Sequence, residues 1–324
     1  MLQQTQIATV IPYYQRLLRA FPTVAKLARA PLDRVLALWS GMGYYRRARN
    51  LHRAARMLVR RHSGRFPRDY GQARALPGVG DYTARAVLSI AYKQPYAVMD
   101  GNVARVAARL KARRGNVHVP AFRKAVQTEL QRLLSRRQPG KFNQAIMELG
   151  QTICLPRGPR CLACPLRRWC RAYRLSKPED YPSPRPRRSA EPHYLAAAIL
   201  RRGSGVAMVR GLDEGLLGEL WNFPSAFGKS AAEARRRLQK KLNALASRPV
   251  RLGPRLANLQ HGITYRSIRV QVYQAELGGK FIGESVRWVR LDRLAQTAVS
   301  QLVRKISAQL GRRDFKPLPA PPVG

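Results

Sequence analysis

Residues 75–109, ALPGVGDYTARAVLSIAYKQPYAVMDGNVARVAAR, decide how this chain folds. Leu76-Pro77-Gly78-Val79-Gly80 is a tight turn with a glycine on each side of Val79, and a helix-forming run, residues 82–91, follows at once. Glycine lets a backbone turn sharply and approach a ligand closely, and the first N–H groups of a helix have no partner inside it. Such a turn is a ready seat for a phosphate. Asp100 stands twenty residues past Gly80, after the apolar run 95–99 and before Gly101-Asn102. A phosphate seat with one carboxylate a short helix away points to chemistry on a nucleic-acid backbone or base. Both features also have plain structural readings. Gly-x-Gly turns join helices without any ligand, and Asp100 could simply cap the helix that begins near Asn102.

The charge supports the nucleic-acid reading. The chain has 324 residues, room for two domains, and carries 61 Lys and Arg against 17 Asp and Glu, a formal charge of +44. A field of that sign favours a polyanion and predicts steeply salt-dependent binding. An anionic membrane surface or RNA would answer to the same charge, but no apolar run approaches the roughly 20 residues that span a bilayer. Residues 1–10 lack the basic start and long apolar run of a signal peptide. The expectation is a cytoplasmic, nucleoid-associated monomer with no membrane partner. Acids are scarce: ahead of Pro178 the carboxylates are Asp33, Asp69, Asp81, Asp100, Glu129 and Glu148. Few side chains there can serve as acid, base or cation stabiliser.

All four cysteines, Cys154, Cys161, Cys164 and Cys170, fall in one C-x6-C-x2-C-x5-C run. An intracellular chain does not normally keep disulfides, and scattered structural cysteines would not cluster so tightly. Four thiolates at short spacing make a closed metal site, and spacing alone leaves zinc and an iron–sulfur cluster both open. Arg157, Arg160, Arg167, Arg168 and Arg171 make the loop positive. It reads as a staple for a DNA-contacting loop rather than a redox catalyst.

Along the chain, residues 1–20 carry Ile7, Val10, Ile11 and Tyr14 at helical spacing, so the chain is expected to begin inside a helix. Thr23 caps a short helix and residues 31–39 form another. Gly41-Met42-Gly43-Tyr44-Tyr45-Arg46-Arg47 opens a basic helix running to about His62. Its tyrosines and arginines suit base stacking and phosphate contact, or equally a helix start with core aromatics and solvated arginines. Residues 120–135 and 142–153 are helical. The first domain, residues 1–175, is therefore mainly α. Residues 176–192, dense in Pro and charge, are a linker. Residues 193–310 change pattern: strands at 194–201, 206–210, 268–276 and 286–291, with helices at 231–245 and 293–310, make a smaller α+β domain. The Pro-rich tail, 311–324, is expected to be disordered.

With these residues in view, the chain resembles the adenine DNA glycosylases of the MutY type, in the helix-hairpin-helix superfamily with endonuclease III. The likeness rests on MLQQTQ at the start, GMGYYRRARNL, LPGVGDYTA, MDGNVARV, FNQAIMELG and the cysteine loop, in that order. It implies a [4Fe-4S] cluster on Cys154, Cys161, Cys164 and Cys170. It also implies that the second domain is Nudix-like and recognises 8-oxoguanine opposite the target adenine. Residues 215–224, GLLGELWNFP, fit that domain, but no cluster of Glu residues is present for Mg²⁺, so pyrophosphate hydrolysis is not expected.

The implied partner is double-stranded DNA with an A·8-oxoG or A·G mispair, and the implied reaction is removal of the flipped adenine. By the resemblance, Gly78 and Gly80 hold the backbone. Gln4 and Tyr44 fill or wedge the stack, with Leu2, Gln3, Thr5 and Arg47 close by. Gln144 stands where the flipped adenine is read, and Glu148 is structural. Asp100 stabilises or traps the oxocarbenium-like sugar, supported by Asn102 and Tyr82. Bifunctional relatives carry a Schiff-base lysine at the position of Tyr82. Tyrosine cannot take that role, so strand cleavage is not expected.

Two departures bear on activity. The family's adenine-protonating glutamate lies two residues ahead of the Met that matches Met1, so these 324 residues alone are expected to bind DNA with little or no base excision. The lesion-reading aromatic-Ser-His is replaced by His261-Gly262-Ile263-Thr264-Tyr265, where Thr264 offers a hydroxyl in place of the serine. Two other readings remain. One is a non-catalytic lesion-binding protein of the same fold; the other is an endonuclease III-like pyrimidine glycosylase with lyase activity. Tyr82, Asp100-Gly101-Asn102 and the second domain speak against the lyase.

Overall fold

Helices dominate the first half for the reasons the periodicity suggests. The computed structural model describes residues 1–183, 191–211, 218, 220–263, 266–282 and 286–310. Thr264, Tyr265, residues 215–217 and 219, much of the expected linker and the tail 311–324 lie outside the described residues. Contacts along the chain define two units: residues 57–187, and residues 1–56 together with 188–324.

The second of these units opens with α1 (Ile7–Ala20), α2 (Val24–Arg29), α3 (Leu32–Trp39) and the start of α4 (Arg46–Arg61). Thr23 caps α2, its side chain accepting from Lys26 N. The helix expected from residue 1 begins only at Ile7, which corrects that reading. Gln4 takes a left-handed φ of 59°. The Arg47 guanidinium gathers the carbonyls of Met1 (2.6 Å) and Gln3 and the Thr5 hydroxyl (2.8 Å). Those bonds hold the first residues in a turn that no i→i−4 ladder could match.

Residues 57–187 hold α5 (Tyr70–Ala75), α6 (Asp81–Ile90), α7 (Gly101–Leu110), α8 (Pro120–Leu133) and α9 (Pro139–Thr152). The cysteine loop follows, with 3-10 turns at Cys161–Ala163 and Arg167–Trp169, and then α10 (Arg171–Arg174). The buried stripe of α7, Val103, Ala104, Val106, Ala107 and Ala108, packs on Phe122, Val126 and Leu130 of α8 and on Ile146 and Leu149 of α9. Small residues on α7 let its neighbours come close.

The sheet of the other unit contains β1 (Glu191–Arg202), β2 (Gly205–Arg210), β3 (Trp221–Asn222), β4 (Ser225–Gly228), β5 (Val250–Ile263), β6 (Arg266–Leu277) and β7 (Val286–Arg290). Its order is β3-β2-β1-β6-β5, with β4 on β1 and β7 on β2. β1 pairs with β6 in parallel and with β2 and β4 antiparallel. α11 (Ala231–Leu245) covers one face through Ala234, Leu238 and Leu242. α12 (Gln301–Leu310) covers the other through Leu302, Val303 and Ile306. Both faces of β1 are therefore buried, as its unbroken apolar run requires.

Two readings of this unit need correction. The helix expected over 293–310 is a 3-10 turn, Leu291–Gln296, and then α12. Between them Trp221 N donates to Ala298 O at 2.9 Å, and Trp221 pairs with Val299, so β3 takes the backbone groups that a continuous helix would use. β5 was not foreseen. Its Gly253-Pro254 reads as a turn, yet β5 pairs along β6 with register shifts between Leu252 and Ala257 that accommodate the proline.

His261 on β5 is 8% exposed, and its Nδ1 has no hydrogen-bond partner. Burial, and then the charge of Lys305, hold its imidazole down to about 4. A group whose folded pKa lies below its unfolded value contributes stability that is present above the unfolded pKa. That stability drains as pH falls through the folded one. Stability is thus expected to drop by about 3 kcal/mol between pH 6.5 and 4 on account of this side chain. Urea titrations across that window would show it as a slope that His261→Leu removes; equal slopes would refute it.

Candidate active site

The turn of residues 76–80 is closed by Val79 N donating to Leu76 O at 3.1 Å, with Gly78 at φ 78°. Gly80 is the N-cap of α6 and supplies no side-chain cap. Asp81 is turned away, accepting from the Tyr70 hydroxyl and from Arg85 Nε at 2.7 Å. Burial raises the Asp81 pKa, but those two donors outweigh it and hold the carboxyl below its usual range.

Asp100 is reached through residues 95–99, an extended run outside any strand whose backbone groups are met by side chains. Asn143 of α9 is fully buried; its Oδ1 accepts from Val98 N at 3.0 Å and its Nδ2 donates to Tyr96 O and Ser89 Oγ, both at 2.9 Å. From α8, Gln131 accepts from Ala97 N and donates to Pro95 O, while Gln127 donates to Ala97 O. These three amides aim Asp100. None of them was singled out in the sequence, although polar residues on the packed faces of helices were the available signal.

Asp100 does cap α7: its Oδ1 accepts from Val103 N at 2.7 Å. The structural reading holds, and it is compatible with the functional one, because a cap uses one oxygen and leaves the charge. That charge reaches Tyr82, whose phenol is raised first by burial and then by Asp100. The Tyr82 hydroxyl donates to Met147 Sδ at 3.3 Å. Asn102 Oδ1 accepts from Arg105 Nη2 at 3.0 Å, and Arg105 also donates to Gly150 O and Cys154 O. Gln144 is exposed, its amide donating to Gly140 O at 3.2 Å. Asp100, Tyr82, Asn102 and Gln144 therefore share the unit of residues 57–187 with Gly78 and Gly80.

Gly150 tests how tightly this assembly is packed. A Cβ there would lie 2.9 Å from Asn102 Cβ and 3.2 Å from Asn102 C and O. Gly150→Ala is expected to push α7 from α9 and cost about 1–3 kcal/mol, the usual range for overpacking. Thermal unfolding measures it, and an unchanged midpoint would refute the close packing.

The same unit carries the cysteines. Cys154, Cys161, Cys164 and Cys170 line one hollow of ≈ 310 Å³, counting its open mouth. The thiols of Cys161 and Cys164 are raised by burial, and Cys161 further by its neighbours Cys170 and Cys154. Arg109 of α7, 2% exposed, donates to Leu155 O (2.7 Å), Pro156 O (3.0 Å), Tyr181 O (3.0 Å) and Cys154 Sγ (3.4 Å). Among the described residues no acid pairs with this buried cation.

In the other unit, the two tyrosines of the GMGYYRR motif part ways. Tyr45 is buried and Tyr44 is 48% exposed, with a left-handed φ of 50°. Arg47 is not spread toward solvent. Besides its bonds to residues 1–5 it donates to Gly43 O at 3.2 Å, and it lies 5.3 Å from the Tyr44 ring. It ties Leu2, Gln3, Gln4 and Thr5 to the turn bearing Tyr44. Thr264 lies outside the described residues.

Helical hairpin, capped carboxylate and four-cysteine loop, with a sheet domain in the same chain, define a class: base-excision DNA repair proteins of the helix-hairpin-helix type. Residues 1–136 match the family model described as HhH-GPD superfamily base excision DNA repair protein, and residues 195–309 match the NUDIX domain. The chain is 33% identical, over 94% of its length, to the adenine DNA glycosylase of Rattus norvegicus, covering 69% of that protein. It is 40% identical, over 55% of its length, to the adenine DNA glycosylase of Buchnera aphidicola subsp. Baizongia pistaciae, covering 50% of it. A solved thermostable thymine-DNA glycosylase matches 54% of this chain and 80% of its own, at 26% identity and a TM-score of 0.49. The chain belongs to the adenine DNA glycosylase family and is a DNA N-glycosylase. No described helix is long and apolar enough to cross a membrane.

Proposed function

We propose that this chain excises adenine paired with 8-oxoguanine or guanine, as a monofunctional glycosylase acting as a monomer on duplex DNA. The observation that carries this is Asp100, held as the N-cap of α7 with its charge bearing on Tyr82. Adenine stacked in a duplex must first be extruded. Gln4 and Tyr44 enter the vacated space, and Gly78 and Gly80 let the backbone approach the α6 N-terminus. As the glycosidic bond lengthens, positive charge grows on the sugar, and a carboxylate already in place stabilises it without reorganising. Asn102 and Tyr82 flank that carboxylate, Gln144 meets the extruded base, and Thr264 serves the partner 8-oxoguanine. Tyr82 offers no amine for a Schiff base, so the product is an abasic site and not a cut strand.

The four cysteines would hold a [4Fe-4S] cluster, and two observations support that fit. Among the described residues no three His, Cys, Asp or Glu converge as a single ion needs, yet four cysteines line one hollow, which suits a bulkier group. The buried Arg109 cation requires negative charge beside it, which thiolates bound to iron supply. When bound, the cluster supplies a rigid cross-link within the loop 154–170. The purified protein is expected to carry about four iron per chain. Zinc in its place would overturn this part.

The deciding experiment is single-turnover adenine release from an A·8-oxoG duplex, with A·G and A·T duplexes beside it and heat and alkali to reveal the abasic site. Release of adenine from the A·8-oxoG and A·G duplexes, with A·T left intact, is the expected result. Release of a pyrimidine, or strand cleavage, would overturn the whole reading.

A further inference from the structure

Tyr44 stands between two residues that end on the same carbonyl. Ser40, 4% exposed at the C-terminus of α3, donates its Oγ to Val299 O at 2.7 Å and accepts from Arg304 Nε at 3.0 Å. Tyr45, 7% exposed, also reaches Val299 O, at 3.5 Å, and its hydroxyl accepts from Gly41 N at 3.2 Å. Val299 and Arg304 belong to the sheet domain: Val299 bridges to Trp221 at the entry to α12, and Arg304 lies on α12. Trp39 and Tyr45 share a buried cluster with Leu220 and Ala298. At the other end of α3, Asp33 pairs with Arg210 of β2 at 2.9 Å. That pair is largely exposed and worth little. The buried contacts at Ser40 are the ones that can set geometry.

The turn they hold could not hold itself. Gly41, Gly43 and Tyr44 all have positive φ, and α3 has ended at Trp39. A Cβ on Gly41 would lie 2.4 Å from the Tyr13 hydroxyl, so the turn is also pressed from the side of α1. Such a backbone persists only where its surroundings over-determine it.

We propose that Ser40 and Arg304 are positioning residues, a latch through which the sheet domain sets how far Tyr44 enters the DNA stack at the mispair. The inference rests on the reading of Tyr44 as a wedge. It gives the sheet domain a second task beside meeting the lesion: the domain that reads the mispair also braces the side chain that opens it.

The test uses the full chain and a duplex with 2-aminopurine next to an A·8-oxoG pair, whose fluorescence rises when the stack opens; adenine release is not needed. Ser40→Ala removes one oxygen and no charge. It is expected to bind fully paired DNA within about twofold of the parent but to lower the opening equilibrium about fivefold, the net worth of about one of the two hydrogen bonds its hydroxyl makes. Arg304→Lys, which keeps charge and a donor, restores part of the rise, and Arg304→Met does not. Should Ser40→Ala be poorly folded, the Arg304 pair carries the test. Tyr44→Ala is the control for the wedge. If Tyr44→Ala abolishes the rise while Ser40→Ala and Arg304→Met keep it whole, the latch is refuted alone. If Tyr44→Ala leaves the rise intact, the wedge reading falls and the latch with it.

Discussion

Asp100→Asn is expected to leave the protein folded and bound to DNA, yet weaken its hold on a duplex carrying a cationic azasugar by about a hundredfold. The cap survives because Asn serves an N-cap as well as Asp. Its side-chain oxygen can still accept from Val103 N, as Asp100 Oδ1 does at 2.7 Å. What disappears is the charge that, on the proposed reading, stands opposite the sugar. A preformed charge in a site that water has left is worth far more than one at a surface, because nothing needs to reorient when the cation appears. A duplex with a neutral abasic analogue is the control and should bind both proteins alike. Equal loss for both duplexes would mean that Asp100 acts through structure; no loss for either would remove it from the chemistry. This readout does not depend on how adenine is protonated.

Arg109→Met is expected to be the most damaging single change in the unit of residues 57–187. The guanidinium serves three loop carbonyls and Cys154 Sγ from a site that is 2% exposed. Methionine fills much of the volume but donates nothing. Each buried carbonyl left without a donor costs about 1–3 kcal/mol, reduced as the loop loosens and water enters. A net loss of about 3 kcal/mol lowers the thermal midpoint by about 10 °C in a domain of this size. Iron should be lost as well, because the loop that presents the cysteines loses most of its ties to α7 and keeps the Arg105 bond to Cys154 O. Arg171→Met, at an exposed arginine beside the same loop, should change neither. A midpoint and iron content equal to the parent's would show that the buried guanidinium is dispensable.

These two residues show where reading the chain succeeds and where it stops. The place of Asp100 as a helix cap was legible because its signals are local: an apolar run, a carboxylate, a glycine and a helix within a few residues. The same holds for the turn at Gly78 and Gly80, for the Thr23 cap and for the spacing of the four cysteines. Arg109 was one arginine among many, and nothing near it in sequence marks it as buried. Its acceptors lie 45 to 72 residues away. Asn143, Gln127 and Gln131 were hidden likewise, since their task is to satisfy an extended segment that only folding brings to them.

The sequence by itself determined the helices of the first half, the α+β pattern of the second, the clustering of the four cysteines and the place of Asp100 at the head of a helix. All of these are written in periods of two to four residues or in short spacings, where covalent geometry carries the signal. Tertiary structure alone decided that Tyr45 is core while Tyr44 is exposed, and that Arg47 faces inward to hold residues 1–5. It also decided that the last helix breaks before Ser300, and that β5 forms despite Gly253-Pro254. Apart from β5, whose partner strand β6 follows it directly, those outcomes depend on partners about 40 to 260 residues away in the chain, such as Val299 for Ser40. No local pattern can report a contact whose energy exists only once both halves have been brought together.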